Sequence, residues 1–213
     1  MKKDKDLEKQ KRRAGEILLR LKKLFPKAGM MLKYSNNWEL MVAVILSAQC
    51  TDKKVNEVTK KLFKKYKTLD DYVNADSREF EKDIFSTGFY RAKTKNILAA
   101  AKMLKEKFEG TVPRTMEEIL TLPGVARKTA NVVLGNAYGV VVGIAVDTHV
   151  RRIAQILGLT KSDKPEVIEQ DLMTVIPKED WFRATYLFIE YGRKFCHAKH
   201  HDHAHCPLAE FHS

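Results

Sequence analysis

Cysteine is scarce in this chain: Cys50, Cys196 and Cys206 are all there are, and an odd count of three excludes a framework in which every thiol is paired in a disulfide. Long apolar runs are missing too. The longest, residues 40–48 and 140–146, fall well short of the roughly 20 residues that a bilayer-spanning helix needs, and the lysine-rich first nine residues hold no apolar core of a secretory signal. Acidic side chains are in deficit, 27 against 39 Lys and Arg, which leaves a formal charge of +12. These absences exclude a disulfide-stapled secreted module and an integral membrane protein. They predict a soluble, intracellular, cytoplasmic protein with a polyanionic partner, nucleic acid first and an acidic membrane surface as its competitor. What is present suffices for a fold: 44% of 213 residues are hydrophobic, enough for one large or two small cores.

Strand signals are also lacking. The β-branched run 140–146 would be a lone strand without a partner, so it is expected to be a buried connection, and the class is all-α. Apolar residues recur at helical spacing from Leu7 to Phe25, stopping at Pro26, and Trp38 to Gln49 is apolar nearly all round, as in a central buried helix, with Cys50 expected as a small core residue at its end. Thr51 or Asp52 caps the next helix, which turns Val55, Val58, Leu62 and Phe63 inward and five lysines to water. Further helices are predicted over Ser77–Ser86 and Ala92–Lys107, from the capping box Thr115–Glu118, and over Lys128–Tyr138. Asp147 or Thr148 then caps a helix to Leu157, followed by Lys164–Ile176 and Trp181–Phe195.

The informative segment is Leu122-Pro-Gly-Val-Ala-Arg-Lys-Thr-Ala-Asn131. Pro123 ends one helix, Gly124 accepts a positive φ, and the helix that follows leaves its first N–H groups unpaired, so the turn is a nest for a phosphate. An ordinary helix-helix connection has the same outline, but Arg127 and Lys128 directly downstream in a chain of charge +12 favour the phosphate grip. Lys128 can act there as a point charge. The sharper expectation is a nucleophile, because the helix N-terminus and Arg127 both disfavour the ammonium form. Asp147 is placed to orient or deprotonate that amine, or to stabilise positive charge developing on a sugar, and N-capping is compatible with either role.

Leu122–Asn131 with Val146-Asp-Thr-His149 resembles the helix-hairpin-helix DNA glycosylase and AP lyases of the endonuclease III family. The likeness extends to Leu46-Ser-Ala-Gln-Cys-Thr-Asp52, Gly88-Phe-Tyr-Arg-Ala-Lys93 and Tyr191-Gly-Arg-Lys-Phe-Cys196, and so covers nearly the whole chain. It implies two helical domains flanking a DNA-binding cleft: a six-helix barrel over residues 30–140, with the hairpin at about 116–138, and a second domain from residues 1–29 and 141–213. It implies a monomer acting on double-stranded DNA that carries a damaged pyrimidine or an abasic site, with no membrane partner. The implied chemistry is removal of an oxidised pyrimidine by attack of Lys128 on C1′, a Schiff base, and β-elimination, with Asp147 as the essential carboxylate. The DNA contacts implied are Gln49 and Phe89 entering the base stack, the hairpin residues Leu122, Gly124, Ala126 and Arg127, and His149. For Gln49 and Phe89 core packing is the alternative, and Ala126 stands where a second glycine is commoner. A glycosylase for mismatched or deaminated bases, or a non-catalytic DNA-binding module, are the rival readings.

The resemblance breaks at the C-terminus. The family ends in Cys-x6-Cys-x2-Cys-x5-Cys around a [4Fe-4S] cluster, and the same spacing here reads Cys196, His203, Cys206, His212. Two thiolates with two imidazoles suit Zn(II), the expected occupant; a metal-free packed tail is the alternative and a cluster the least expected. His197, His200, His201 and His205 are further candidate ligands.

Overall fold

The computed structural model describes residues 2–199 and 202–212; His200 and His201, two of the alternative ligands, lie outside the described residues. Eleven α-helices and no β-strand occur among the described residues. They are α1 (Lys2–Leu24), α2 (Asn37–Leu46), α3 (Asp52–Lys65), α4 (Leu69–Val73), α5 (Ser77–Ile84), α6 (Tyr90–Lys107), α7 (Met116–Ile119), α8 (Arg127–Tyr138), α9 (Thr148–Ile156), α10 (Pro165–Val175) and α11 (Trp181–Lys194). The chain divides into two compact units, Met31–Val140 and the combination of Met1–Met30 with Val141–Ser213.

Local chemistry sets most of the helix starts. Asn36 accepts from the Glu39 N–H at 2.9 Å to open α2, Thr51 accepts from Lys54 to open α3, and Pro165 occupies the first turn of α10. The short helix α4 has no counterpart among the sequence-based expectations. Thr68 and Asp71 close a reciprocal capping box there, and the helix turns Tyr72 onto Trp38 with ring centroids 5.1 Å apart in an edge-to-face arrangement. Burial of such rings, more than five residues of helix propensity, holds α4 in place.

In the unit Met31–Val140, α2 is the central helix, with eight of its ten residues buried against α3, α6 and α8. It ends at Leu46 and does not continue to Gln49. Ser47 Oγ bonds back to the Val44 carbonyl at 2.8 Å, and the chain turns through Ser47–Cys50 with Gln49 at φ 53°. Cys50 is therefore not a core residue of an apolar helix, as expected above; it sits half-exposed in that turn.

The other unit buries Ile17 and Leu21 of α1 with Ile153 of α9, Leu172 of α10 and Phe188 of α11, each side chain of this kind contributing about 1.5–3 kcal/mol. This core runs on into the tail through Cys196, Cys206, Leu208 and Phe211. Arg13 of α1 fastens the tail by donating to the Phe211 carbonyl at 2.5 Å and, through Nε, to that of Leu157 at 3.1 Å. Residues 140–146 form no strand and bury Ile144 in the same core.

Candidate active site and metal centre

The hairpin is built from α7, a tight turn and α8. Thr115 caps α7 by accepting from the Glu118 N–H, and the turn closes with the Val125 N–H donating to the Leu122 carbonyl at 3.2 Å. Leu122 and Val125 are buried and anchor the turn, so Leu122 offers a ligand only its backbone. Gly124 lies at φ 79°, and a Cβ there would fall 2.7 Å from Asn96 Cβ of α6. Glycine at this position thus serves both the left-handed backbone and the close approach of α6. Ala126 is the N-cap of α8 with φ −93° and no side-chain cap, so the departure from glycine at this position costs no backbone strain. No side chain caps that helix end, and the positive dipole end of α8 there favours an anion. Arg127 and Lys128 are the first two residues of the helix and are half-exposed.

Asp147 is the N-cap of α9. Its Oδ1 accepts from the Val150 N–H at 2.8 Å, which fixes the side-chain rotamer and leaves Oδ2 for a second partner. It belongs to the unit containing α9, and Lys128 to the unit Met31–Val140. His149, in the first turn of α9, is packed against α11: its Nδ1 lies 3.1 Å from where a Cβ on Gly192 would stand. Arg152, one turn on, donates to the Cys196 and Gly192 carbonyls and so ties α9 to the start of the tail.

Gln49 and Phe89 are both exposed, Phe89 at 63%, which removes core packing as an account of either side chain. Both carry left-handed backbone, φ 53° and φ 48°, which is uncommon outside glycine and costs on the order of 1 kcal/mol or more. Phe89 follows Gly88, itself at φ 69°, and precedes α6 without a side-chain cap. An aromatic side chain held in water on strained backbone calls for an explanation outside the folded chain.

The tail brings Cys196, His203, Cys206 and His212 together, with one ligand atom from each and all four atoms within 4.8 Å of one another. His203 Nδ1 is 3.7 Å from Cys196 Sγ and 3.9 Å from Cys206 Sγ. Burial pushes the Cys196 thiol up to about 11, with the neighbouring Cys206 adding to the shift. His205 pairs instead with Asp202 at 2.9 Å and stays exposed. The group can hold a metal ion.

Residues 42–178 match the HhH-GPD superfamily of base excision DNA repair proteins, a span that holds the hairpin, Lys128 and Asp147. The chain belongs to this superfamily. Within it, the chain is 52% identical to endonuclease III of Synechocystis sp. over 200 residues, covering 94% of this chain and 91% of that protein. It is 49% identical to endonuclease III of Bacillus subtilis, covering 87% and 84%. A solved structure of a trapped endonuclease III–DNA covalent intermediate superposes with a TM-score of 0.91 at 45% identity, over 95% of each chain. A thermostable thymine-DNA glycosylase at 21% identity shares the fold, with a TM-score of 0.80.

For an HhH-GPD protein the sequence motifs located the hairpin, the capping carboxylate and the tail ligands as local patterns. Arg152 was not among the expected site residues, because its partners lie 40 and 44 positions away and leave no local signal. The left-handed backbone of Gln49 and Phe89 was equally silent, since neither is glycine or asparagine.

Proposed function

We propose that this chain is a bifunctional DNA glycosylase and AP lyase that removes oxidised pyrimidines from duplex DNA in base excision repair, through a Schiff base on Lys128. The observation that carries the reading is Lys128 in the first turn of α8, directly after a glycine-dependent hairpin, in a chain half identical to endonuclease III proteins. The trapped covalent complex formed by a structural relative supports the same reading.

The residues divide the work. The hairpin N–H groups and the α8 dipole hold a backbone phosphate, with Arg127 adding charge. Gln49 and Phe89 enter the stack as the damaged nucleotide turns out, which offsets part of the few kcal/mol that unstacking costs. The Lys128 amine attacks C1′, the C1′–N bond to the base breaks, and the base leaves with a proton. Ring opening gives the Schiff base; loss of a C2′ proton then expels the 3′ phosphate, and water releases the lysine. Asp147, its rotamer fixed by the Val150 bond, keeps a carboxylate oxygen for the developing positive charge or for the amine proton. Binding needs one protein chain, and the place of action is wherever the cell keeps its DNA, the cytoplasmic nucleoid.

For the tail we propose Zn(II). A tetrahedral ion with bonds of about 2.3 Å to sulfur and about 2.0 Å to nitrogen places sulfur and nitrogen about 3.5 Å apart. The separations of 3.7 and 3.9 Å lie within a few tenths of an ångström of that geometry. A cubane cluster spreads its four ligands over four separate irons and prefers thiolate at each. Zinc would supply no redox step; its role is to fasten the tail, already part of the core of its unit, behind α11.

Borohydride reduction during incubation with thymine-glycol duplex tests the chemistry. The parent protein should give a covalent protein–DNA adduct that Lys128→Ala abolishes. A parent that binds DNA but traps nothing refutes the enzymatic reading and leaves a binding module. Elemental analysis with a visible spectrum tests the tail, and a brown protein rich in iron refutes zinc.

A further inference from the structure

Lys93 is the third residue after the start of α6 and only 4% exposed, an unusual state for an ammonium group that must be compensated by hydrogen bonds. Its Nζ donates to the Leu46 carbonyl and to the Thr87 carbonyl, each at 2.8 Å. Its backbone N–H donates to the Phe89 carbonyl at 3.0 Å. Leu46 is the last residue of α2, where unpaired carbonyls and the negative end of the helix dipole favour a cation. Burial lowers its pKa from the ordinary lysine value, so the two carbonyls also serve to keep the group charged.

The two side-chain bonds reach the segments that carry the strained, exposed side chains: Leu46 is three residues before Gln49, and Thr87 is two before Phe89, while the Lys93 N–H bond to Phe89 is the ordinary first bond of α6. One side-chain nitrogen therefore fixes the end of α2 against the entry to α6. Nothing in the local sequence of either loop favours its left-handed residue, so the restraint has to come from across the fold.

We propose that Lys93 is a positioning residue that locks the Gln49 turn to the Phe89 loop, so that both side chains are presented to the duplex from one preorganised frame. The role rests on the reading of Gln49 and Phe89 as insertion side chains. Lys93 touches no reacting atom and acts only through the two loops it joins. A purely structural lysine would stabilise the fold and leave the relative cost of extruding different bases unchanged.

The test compares single-turnover excision of thymine glycol paired with adenine against the same lesion opposite a tetrahydrofuran spacer, where no partner base must be parted and extrusion costs less. Lys93→Met should lose on the order of tenfold on the paired lesion and much less on the spacer duplex. Phe89→Ala and Gln49→Ala should show the same pattern. A 2-aminopurine placed beside the lesion should lose its fluorescence rise in all three variants. Lys93→Gln, which keeps N–H donors without the charge, is measured alongside, and melting curves select the variant that is folded. A folded Lys93 variant that loses both rates equally, or neither, overturns the proposal. If Phe89→Ala and Gln49→Ala themselves lose both rates equally, the insertion reading fails first, and the comparison tells the two failures apart.

Discussion

Asp147 is asked to do two things, and two substitutions separate them. As the N-cap of α9 it accepts one hydrogen bond, from the Val150 N–H at 2.8 Å. Asp147→Asn keeps an oxygen in that place, and asparagine ranks with aspartate as a cap, so this variant loses only the charge–dipole contribution, about 0.3–1 kcal/mol. Asp147→Ala loses the hydrogen bond as well, about 1 kcal/mol more. For a chain of this length that difference separates the two melting temperatures by about 2–4 °C. Turnover should not follow stability. A carboxylate engaged in proton transfer or charge stabilisation is worth about a hundredfold or more, and both variants lack it. Calorimetry gives the melting temperatures, single-turnover strand cleavage of thymine-glycol duplex gives the rate, and anisotropy with an uncleavable abasic analogue gives affinity, which should stay near that of the parent. If Asp147→Asn cleaves at close to the parental rate while Asp147→Ala slows only as far as its lost stability accounts for, Asp147 is a cap and nothing more.

Other expectations follow from single contacts. Gly124→Ala forces alanine to φ 79° and sets its Cβ against Asn96, so it should destabilise by about 2–4 kcal/mol and weaken DNA binding; the double variant with Asn96→Gly should recover the steric part in a thermal melt, and additive losses would show that Asn96 is not the obstacle. Phe89→Gly removes an exposed ring from strained backbone, so it should melt no lower than the parent while excising a paired lesion more slowly; a clear loss of stability would mean that the ring packs. Treatment with a chelator should lower the melting temperature, because a metal on the proposed ligands Cys196 and Cys206 would tie together the core of their unit, yet leave borohydride trapping at Lys128 on abasic DNA in place; unchanged melting would mean the tail is held without metal.

How much could be read from the sequence depended on how local the cause was. Helix starts set by Thr51, Thr115 and Asp147 are decided within three or four residues, and so is the hairpin at Pro123-Gly124; these were legible. The two thiols and two imidazoles of the tail were legible as a spacing, although their closure to within 4.8 Å needed the fold. The misjudged stretch was the end of α2. Apolar periodicity runs on toward Gln49 and Cys50, but the helix stops at Leu46, where Ser47 Oγ bonds back to the Val44 carbonyl and the Leu46 carbonyl accepts from Lys93, 47 residues away. The short helix α4 escaped notice because its support is the burial of Tyr72 against Trp38, again a distant contact.

That pattern of failure bears on function. A chain built only for stability would place glycine or asparagine at φ 53° and φ 48°, and would not leave a phenylalanine 63% exposed on such backbone. It would also have little use for a buried lysine whose charge has to be compensated by two carbonyls. The Lys93 ammonium bonds Leu46 and Thr87, three residues before Gln49 and two before Phe89, and all of these lie in the unit that carries Lys128. Local rules fail together where side-chain identity is required for something other than folding. In this chain that place is the pair of loops joined by Lys93, which is why the extrusion step, more than the covalent chemistry at Lys128, is where substitutions at a distance from the reacting atoms should be felt.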